Sequence, residues 1–496
     1  MVLNPTPASL RAERTSSPWL VLVLVCLAQF MVVLDATVVN VALPSIRRGL
    51  DFQPNDLQWV VNSYTLAFGG FLLLGGRAAD LFGRKRLFLV GIAVFSAASV
   101  VNALATSPGM LIGGRALQGL GGALVSPAAL SIITTTFAEG RERTRALGVW
   151  SGIAAGGGAV GLLLGGILTD VASWQWVFIV NAPVGAAGLL LSLRFVPESR
   201  LVGSRRHLDL GGALLVTAGL MVAVYAIVEA PVWGWGSGRT IGLGTLAVAL
   251  LAGFVAVESR FIAPLMPLRL LRVRSLAGSD SAMLITAAGL FAMFFFAGLY
   301  VQDVMGYSPL RAGLAFLPVT VGIGAGAALA QGMVQRMGVR NVALVGLGLG
   351  AIGLLAMTRI SVEGGYLTQL LPGLGVMSVG MGLCFVPVTL MATSNISAED
   401  SGLASGLLNT AQQVGGALGL AILSTLATSH SAGILTALGH APSRLDVAGA
   451  EVDGFRLAFV AAAAMLALAG VLLAFMVRRR DVIPVAAGAA VLQEAA

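Results

Sequence analysis

Asp35 lies deep inside an apolar run, in LVCLAQFMVVLDATVVNVALP over residues 24–44. An ionised aspartate at that depth in a membrane span costs about 2.5–3.5 kcal/mol on insertion scales. A carboxyl there is held most cheaply with a proton on it, and such a group can accept a proton from one side of a membrane and release it to the other. The plainer alternative is a structural carboxylate near a helix end. Asp35 stands nine residues before Pro44, too deep for a simple cap, which favours the functional reading. On a wheel of ~100° per residue, Gln29, Thr37 and Asn40 share a face with Cys26, and Asp35 points roughly opposite. One face lines a cavity and the other packs inside a bundle, and either assignment fits the sequence.

Arg115 is the second unusual charge, with Gln118, Gly122 and Ser126 at i+3, i+7 and i+11 on its helix face. A buried guanidinium requires acceptors. Asp35 or the polar face of its helix can supply them, whereas an arginine near a helix end can instead extend to the membrane surface. Gly157, Gly161, Gly165 and Gly166 place small residues at four-residue spacing, which allows close helix packing or gating. The histidines, His207, His430 and His440, lack metal-ligand spacing, and Cys26 and Cys384 sit in apolar runs as small core residues. No catalytic triad, metal cluster or phosphate loop is evident, so an enzyme is not expected and no cofactor is implied.

The elements that position these residues follow from composition. Of 496 residues, 57% are hydrophobic and 10% charged. Soluble proteins carry about 25% charged residues, so most of this surface must face lipid. Apolar runs of about 20 residues suit helices, not barrel strands. Such runs occur near 18–42, 57–75, 87–105, 109–137, 146–168, 175–196, 210–230, 240–258, 276–301, 312–334, 341–358, 367–392, 402–427 and 456–477, predicting an all-α polytopic membrane protein of fourteen spans. The first run lacks a cleavage-site pattern and is expected to remain as a span. Basic residues alternate from loop to loop: about 22 of 30 fall on one side, which predicts cytoplasmic N- and C-termini. Scattered arginines without a continuous basic face exclude nucleic acid as the partner. The longest outside connection is predicted at about 428–454.

A faint repeat aligns Gly76, Gly83 and Gly91 with Gly332, Gly338 and Gly346, and Lys85 with Arg340. Parallel repeats imply two similar halves related by an axis along the membrane normal. The predicted order is an N-terminal tail (1–17), a six-helix bundle (18–200), two inserted helices with linkers (201–274), a second six-helix bundle (275–480) and a C-terminal tail (481–496).

These residues together resemble the major facilitator superfamily, specifically its fourteen-span drug:proton antiporter branch, over nearly the whole chain. LDATVVNVALP is similar to that branch's first-helix motif. Gly76, Asp80, Gly83, Arg84 and Lys85 match the cytoplasmic loop motif, and Arg115, Gln118, Gly119 and Gly121 match the fourth-helix motif. Gly157, Gly161, Gly165 and Gly166 match the antiporter motif of the fifth helix. WQWVFIVNAPVG (174–185), YVQDVMGYSPLRAGLAFLP (300–318) and GLASGLLNTAQQVGGALG (402–419) also look like this branch. Two positions depart from it: Leu162 stands where the antiporter motif usually has proline, and Leu81 where the loop motif usually has arginine.

The resemblance implies a monomeric exporter of small hydrophobic or amphipathic compounds, drugs and antibiotics among them. It would sit in a bacterial cytoplasmic membrane and be driven by a proton gradient. Asp35 and Arg115 would couple protons, and the Asp80 loop would latch one state. A symporter importing a small metabolite shares the fold and is the alternative; a receptor or channel has no obvious use for the repeat. Gln29, Asn40, Asn62, Tyr64, Gln118, Phe294 and Gln302 are the candidate cavity residues. The predominance of arginine over the single Lys85 suggests a GC-rich bacterial genome, in which export of a host-made antibiotic is plausible.

Overall fold

The computed structural model describes residues 17–478 apart from 138–139, 200–208, 262–263, 268, 395, 397–399 and 439. The predicted terminal tails therefore lie almost wholly outside the described residues, as do His207 and part of the linker before the inserted helices. The helices are α1 (Pro18–Leu50), α2 (Trp59–Phe82), α3 (Arg84–Ala103), α4 (Pro108–Thr136), α5 (Arg141–Val171), α6 (Trp176–Ile179), α7 (Asn181–Phe195), α8 (Leu210–Trp233), α9 (Gly238–Arg260), α10 (Arg274–Leu299), α11 (Pro309–Met337), α12 (Val339–Met357), α13 (Leu371–Thr393), α14 (Ser401–Ala437) and α15 (Arg444–Met476). Among the described residues there is no β-strand.

Among the described residues, thirteen helical stretches are long and apolar enough to cross a membrane by length and composition, α6 and α7 counting together as Trp176–Phe195. The apolar part of α5, Gly156–Val171, is shorter. Leu246, Val248 and Val255 on α9 and Phe475 on α15 are exposed, as suits a chain whose solvent is lipid. It is a multi-pass membrane protein.

Local chemistry sets where the helices start and turn. Ser107, Ser237 and Ser308 accept hydrogen bonds from the backbone amides of Met110, Thr240 and Arg311, and Asp209 accepts from Gly212. Each satisfies an amide that the helix leaves unpaired. Gly83 and Gly338, with φ of +114° and +81°, make the abrupt α2–α3 and α11–α12 turns. The two stretches of the sequence repeat thus adopt the same turn. The third glycine of each repeat also plays one part: Gly91 lies against Gly121 and Val125 of α4, and Gly346 against Gly380 and Cys384 of α13.

Two expectations about helix length are corrected. The first run, predicted near 18–42, continues through Pro44 to Leu50 as α1. Pairing with the second bundle supports this stretch, because Gln302 donates to the Val41 carbonyl at 2.9 Å. The long outside connection predicted at 428–454 is also mostly helix, since α14 continues to Ala437 and α15 starts at Arg444. A reciprocal Ser443–Asp446 cap starts α15, and Ser431 of α14 bonds the Ala450 carbonyl at 2.7 Å. Hydropathy marks where lipid ends, whereas a helix continues as long as caps and a neighbour support it.

α1 to α7 pack largely on one another, as do α10 to α15. α8 and α9 pair together, and α8 lies against both α2 and α14, where Leu220, Val224 and Val228 meet Leu66, Val414 and Ala417. Close approach at glycine holds the helices together. At Gly382 of α13 an added Cβ would fall 2.8 Å from the Gly326 Cα of α11. Gly382→Leu is therefore expected to cut the yield of folded protein several-fold, since overpacking costs about 1–3 kcal/mol or more. Gly242→Leu, with open space around α9, should leave the yield unchanged. Size-exclusion profiles of fluorescent fusions check both.

Candidate functional site

Asp35 and Arg115 meet inside the first bundle, with side chains 0% and 1% exposed. Nη1 of Arg115 donates to Asp35 Oδ2. The other carboxylate oxygen accepts from Gln118 Nε2 at 2.7 Å and from Asn181 Nδ2 at 2.9 Å. The guanidinium also donates through Nε to the Val60 carbonyl at 3.0 Å and through Nη1 to Gln118 Oε1 at 2.8 Å. Gln118 in turn donates to Ser99 Oγ at 2.6 Å and accepts from Asn102 at 2.8 Å. The Tyr64 ring lies over the guanidinium, with its centroid 4.3 Å from Cζ. Six helices build this site: Asp35 comes from α1, Val60 and Tyr64 from α2, Ser99 and Asn102 from α3, Arg115 and Gln118 from α4, Asn181 from α7, and Phe178 of α6 stands 5.8 Å from the guanidinium. Each donor and acceptor matters, because a buried ion pair repays its desolvation only when its remaining groups are satisfied.

Sequence reasoning missed Ser99, Asn102 and Asn181. Their one signal was a polar residue midway through an otherwise apolar run, which does not reveal which helices come together.

A cavity of about 980 Å³ lies between the two bundles. Gln29, Thr37 and Asn40 of α1 line it, with Tyr64 and Phe68 of α2, Phe291 and Phe294 of α10, and Asn409, Gln412 and Gln413 of α14. The two faces of α1 are thereby assigned: Asp35 faces the bundle interior and the Gln29–Asn40 face lines the cavity. Four of the seven expected cavity residues, Gln29, Asn40, Tyr64 and Phe294, are in its wall. The other three lie elsewhere. Asn62 is fully buried beside Gln58, Gln118 serves the charged network, and Gln302 bonds the Val41 carbonyl between the bundles. Their polarity was legible, but side-chain direction depends on which neighbour each helix faces.

The cavity runs down to Arg77, Asp80 and Asp400 at the end of the molecule where most arginines lie. Toward the opposite end the bundles close. Arg47 and Asp303 approach to 3.2 Å, Thr428 donates to Asn55 at 2.6 Å, and Gly166 of α5 packs on Pro309 and Leu310 of α11. Gly157, Gly161 and Gly165 seat α5 on Val33, Thr37 and Val38 of α1. At Leu162, the position that departs from the antiporter motif, the backbone carbonyl faces Gly313 of α11. Around Gly76 and Gly83, Asp80 accepts from Arg84 at 2.9 and 3.1 Å and from Ser131 at 3.3 Å. Lys85 donates to the Leu193 carbonyl at 2.8 Å. These partners all belong to the first bundle, and Leu81 is buried beside them. Among the described residues no cluster of side chains has the makeup of a metal site.

A family profile described as Major Facilitator Superfamily matches residues 25–420. The puromycin resistance protein pur8 of Streptomyces alboniger is 42% identical, covering 92% of this chain and 90% of its own. The cephamycin export protein CmcT of Amycolatopsis lactamdurans is 43% identical, covering 85% of this chain and 88% of its own. A lincomycin resistance protein of Streptomyces lincolnensis is 34% identical over 86% of this chain and 88% of its own. Among solved structures, a bacterial homolog of the human lysosomal transporter Spinster, inward-facing and unoccupied, superposes with a TM-score of 0.64. It covers 94% of this chain and 97% of its own at 17% identity, which establishes shared fold alone.

Removing one member of the buried pair should harm the protein more than removing both. Arg115→Met leaves an uncompensated carboxylate, and breaking a buried pair in this way costs about 3–5 kcal/mol. Adding Asp35→Asn to that variant should restore most of the loss. Thermal melts of the purified protein across the double-mutant cycle check this; equal melting of the single and double variants would remove the pair as the source.

Proposed function

The chain belongs to the Major Facilitator Superfamily, and from that membership we propose that it is a proton-coupled antiporter exporting antibiotic-like molecules across a bacterial cytoplasmic membrane. As a membrane transporter it is not an enzyme; the exchange of protons for drug is the step proposed. The observation that carries it is the Asp35–Arg115 pair, buried within one bundle, with Arg115 reaching the cavity wall beside Tyr64 and Asp35 behind it. A carboxylate so placed exchanges a proton without touching the cargo, which is what coupling two sites through one helix bundle requires.

Six spans (18–200), two inserted helices (201–274) and six further spans (275–480) form the proposed working parts, with both tails in the cytoplasm. The arginine-rich end is then cytoplasmic, and the cavity lies open to that side. The bundles rock about the cavity to expose it to each side in turn. Gain of a proton on Asp35 removes the negative charge and leaves Arg115 with the Val60 carbonyl and Gln118. Loss of the proton restores the pair. These two states pull differently on α1, α2 and α4, so the proton can bias which side is open. Asp80, Arg84 and Lys85 form the latch of the other state, and here they bond within their own bundle. Gly157, Gly161, Gly165 and Gly166 are proposed to let α5 move closely against α1 and α11.

The cavity is at the upper end of the ~300–1,000 Å³ range of drug-sized sites and mixes apolar walls with a few amides. The names of the relatives point to antibiotics as cargo. A membrane potential contributes about 2.3 kcal/mol per charge per 100 mV, so one proton sustains roughly a fiftyfold gradient of a neutral substrate. The protein is proposed to act as a monomer.

Everted vesicles test this directly. Wild-type vesicles loaded with the transporter should accumulate puromycin or lincomycin when a proton gradient is imposed. Asp35→Asn should abolish the proton-driven component at least tenfold while leaving unenergised exchange intact. Full gradient-driven transport by that variant would refute the coupling role, and uptake only under the reverse gradient would show import instead.

A further inference from the structure

A second acidic side chain lies half-buried in a span, and the Asp35 mechanism leaves it unused. Asp280 stands seven residues into α10, in the half of the molecule that lacks the ion pair. Its Oδ1 is buried without a hydrogen-bond partner. Among the described residues no ion pair reaches it.

The surroundings explain this isolation. α10 packs on α14, α15, α13 and α1. α13 carries no charged residue, and the one titratable side chain of α14 is His430, toward the helix's far end. The ionisable residues of α15, Arg444, Asp446, Glu451, Asp453 and Arg456, all lie in its first half, at the opposite end of the bundle. On α1, Asp35 is held by Arg115, and Arg47 and Arg48 lie at that opposite end. Nearby cations are committed or exposed: Arg269 pairs with Asp400, Arg340 bonds the Ala474 carbonyl, Arg478 makes a contact of its own, and Arg272 and Arg274 are exposed. At the far end of α10, Asp303 faces Arg47.

Position gives Asp280 a route to water. The stretch Arg274–Val304, which α10 begins, is the most buried of the candidate spans among the described residues. Beyond Arg274, the incompletely buried residues of α10 are Ala277, Asp280, Ser281, Leu284, Ile285, Phe291 and Phe294; they fall on one half of the helix, where Asp280, Leu284, Phe291 and Phe294 form a stripe at helical spacing. Phe291 and Phe294 line the cavity. Asp280 lies on the same stripe, nearer the end toward which the cavity runs. It is outside the cavity wall itself, so a bulky organic cation does not reach it, whereas the side chain is only half-buried and open to a proton. An ionised carboxylate here would leave a buried oxygen unsatisfied and have no counter-ion among the described residues, and a bound proton removes that cost.

We propose that Asp280 is a second proton-carrying site, which takes up and releases its proton through the arginine-rich mouth of the cavity independently of Asp35. Its consequence for transport rests on the antiport reading: with Asp35, it allows two protons per cycle. Protonation itself can be measured without any substrate.

The test is infrared difference spectroscopy on the full chain in liposomes, titrated with pH and read at the carboxylic-acid C=O stretch. Wild type should show one more titrating carboxyl than Asp280→Asn. Asp280→Glu should restore that carboxyl at a shifted frequency, and Asp35→Asn should retain it. If Asp280→Asn and wild type give the same titration, or a folded Asp280→Glu adds no band, the proposal is overturned. Should Asp280→Asn fail to fold, the frequency shift in Asp280→Glu decides alone. Loss of coupling in the vesicle assay concerns Asp35 and leaves this outcome untouched, so the two readings fail separately.

Discussion

A charge pair shielded from water and lipid sets the terms for the first bundle. Asp35 and Arg115 have almost no exposed surface, so every remaining donor and acceptor must be met from within the bundle. Gln118 does most of this, donating to Asp35 and Ser99 and accepting from Arg115 and Asn102. Asn181 and the Val60 carbonyl complete the set. The network therefore holds several helices in one arrangement, and a change of one charge is felt by all of them. Low dielectric makes such a network strong when complete and costly when broken.

The same constraint explains the division of α1. A helix has room for two chemistries only on opposite faces, and here the charged face is turned inward and the amide face outward. Tyr64 stands at the boundary, stacked on Arg115 on one side and lining the cavity on the other. Arg115 itself reaches the cavity wall beside that ring, whereas Asp35 lies behind it.

Between the bundles the contacts are uneven. One end is sealed by Arg47–Asp303, Gln302 to Val41, and Gly166 against α11, while the other leaves Asp80 and Asp400 at the cavity's rim. α8 lies over the seam between α2 and α14, with Asn55 donating to the Val228 carbonyl and Thr425 to that of Ile227. α8 thereby touches both α2 and α14 on one flank. On the other flank α5 meets α11 directly, through glycines.

Composition and periodicity alone determined that this chain is helical and embedded in lipid, because low charge and runs of about 20 apolar residues permit little else. They also exposed Asp35 and Arg115, since a charge inside such a run has no bland surroundings, and the two-face reading of α1 followed from 100° per residue. Only the tertiary structure decided which face met the cavity, that Asn181 and Ser99 joined the charged network, and that Gln302 and Asn62 did not join the cavity wall. It also showed α1 continuing past Pro44 and α14 and α15 extending into the stretch at 428–454 predicted as a loop. The physical reason is common to all of these. Burial cost depends on a residue and its own helix, so it can be read along the chain, but partners for buried polar groups come from helices distant in sequence, and those partners decide where side chains point and helices end.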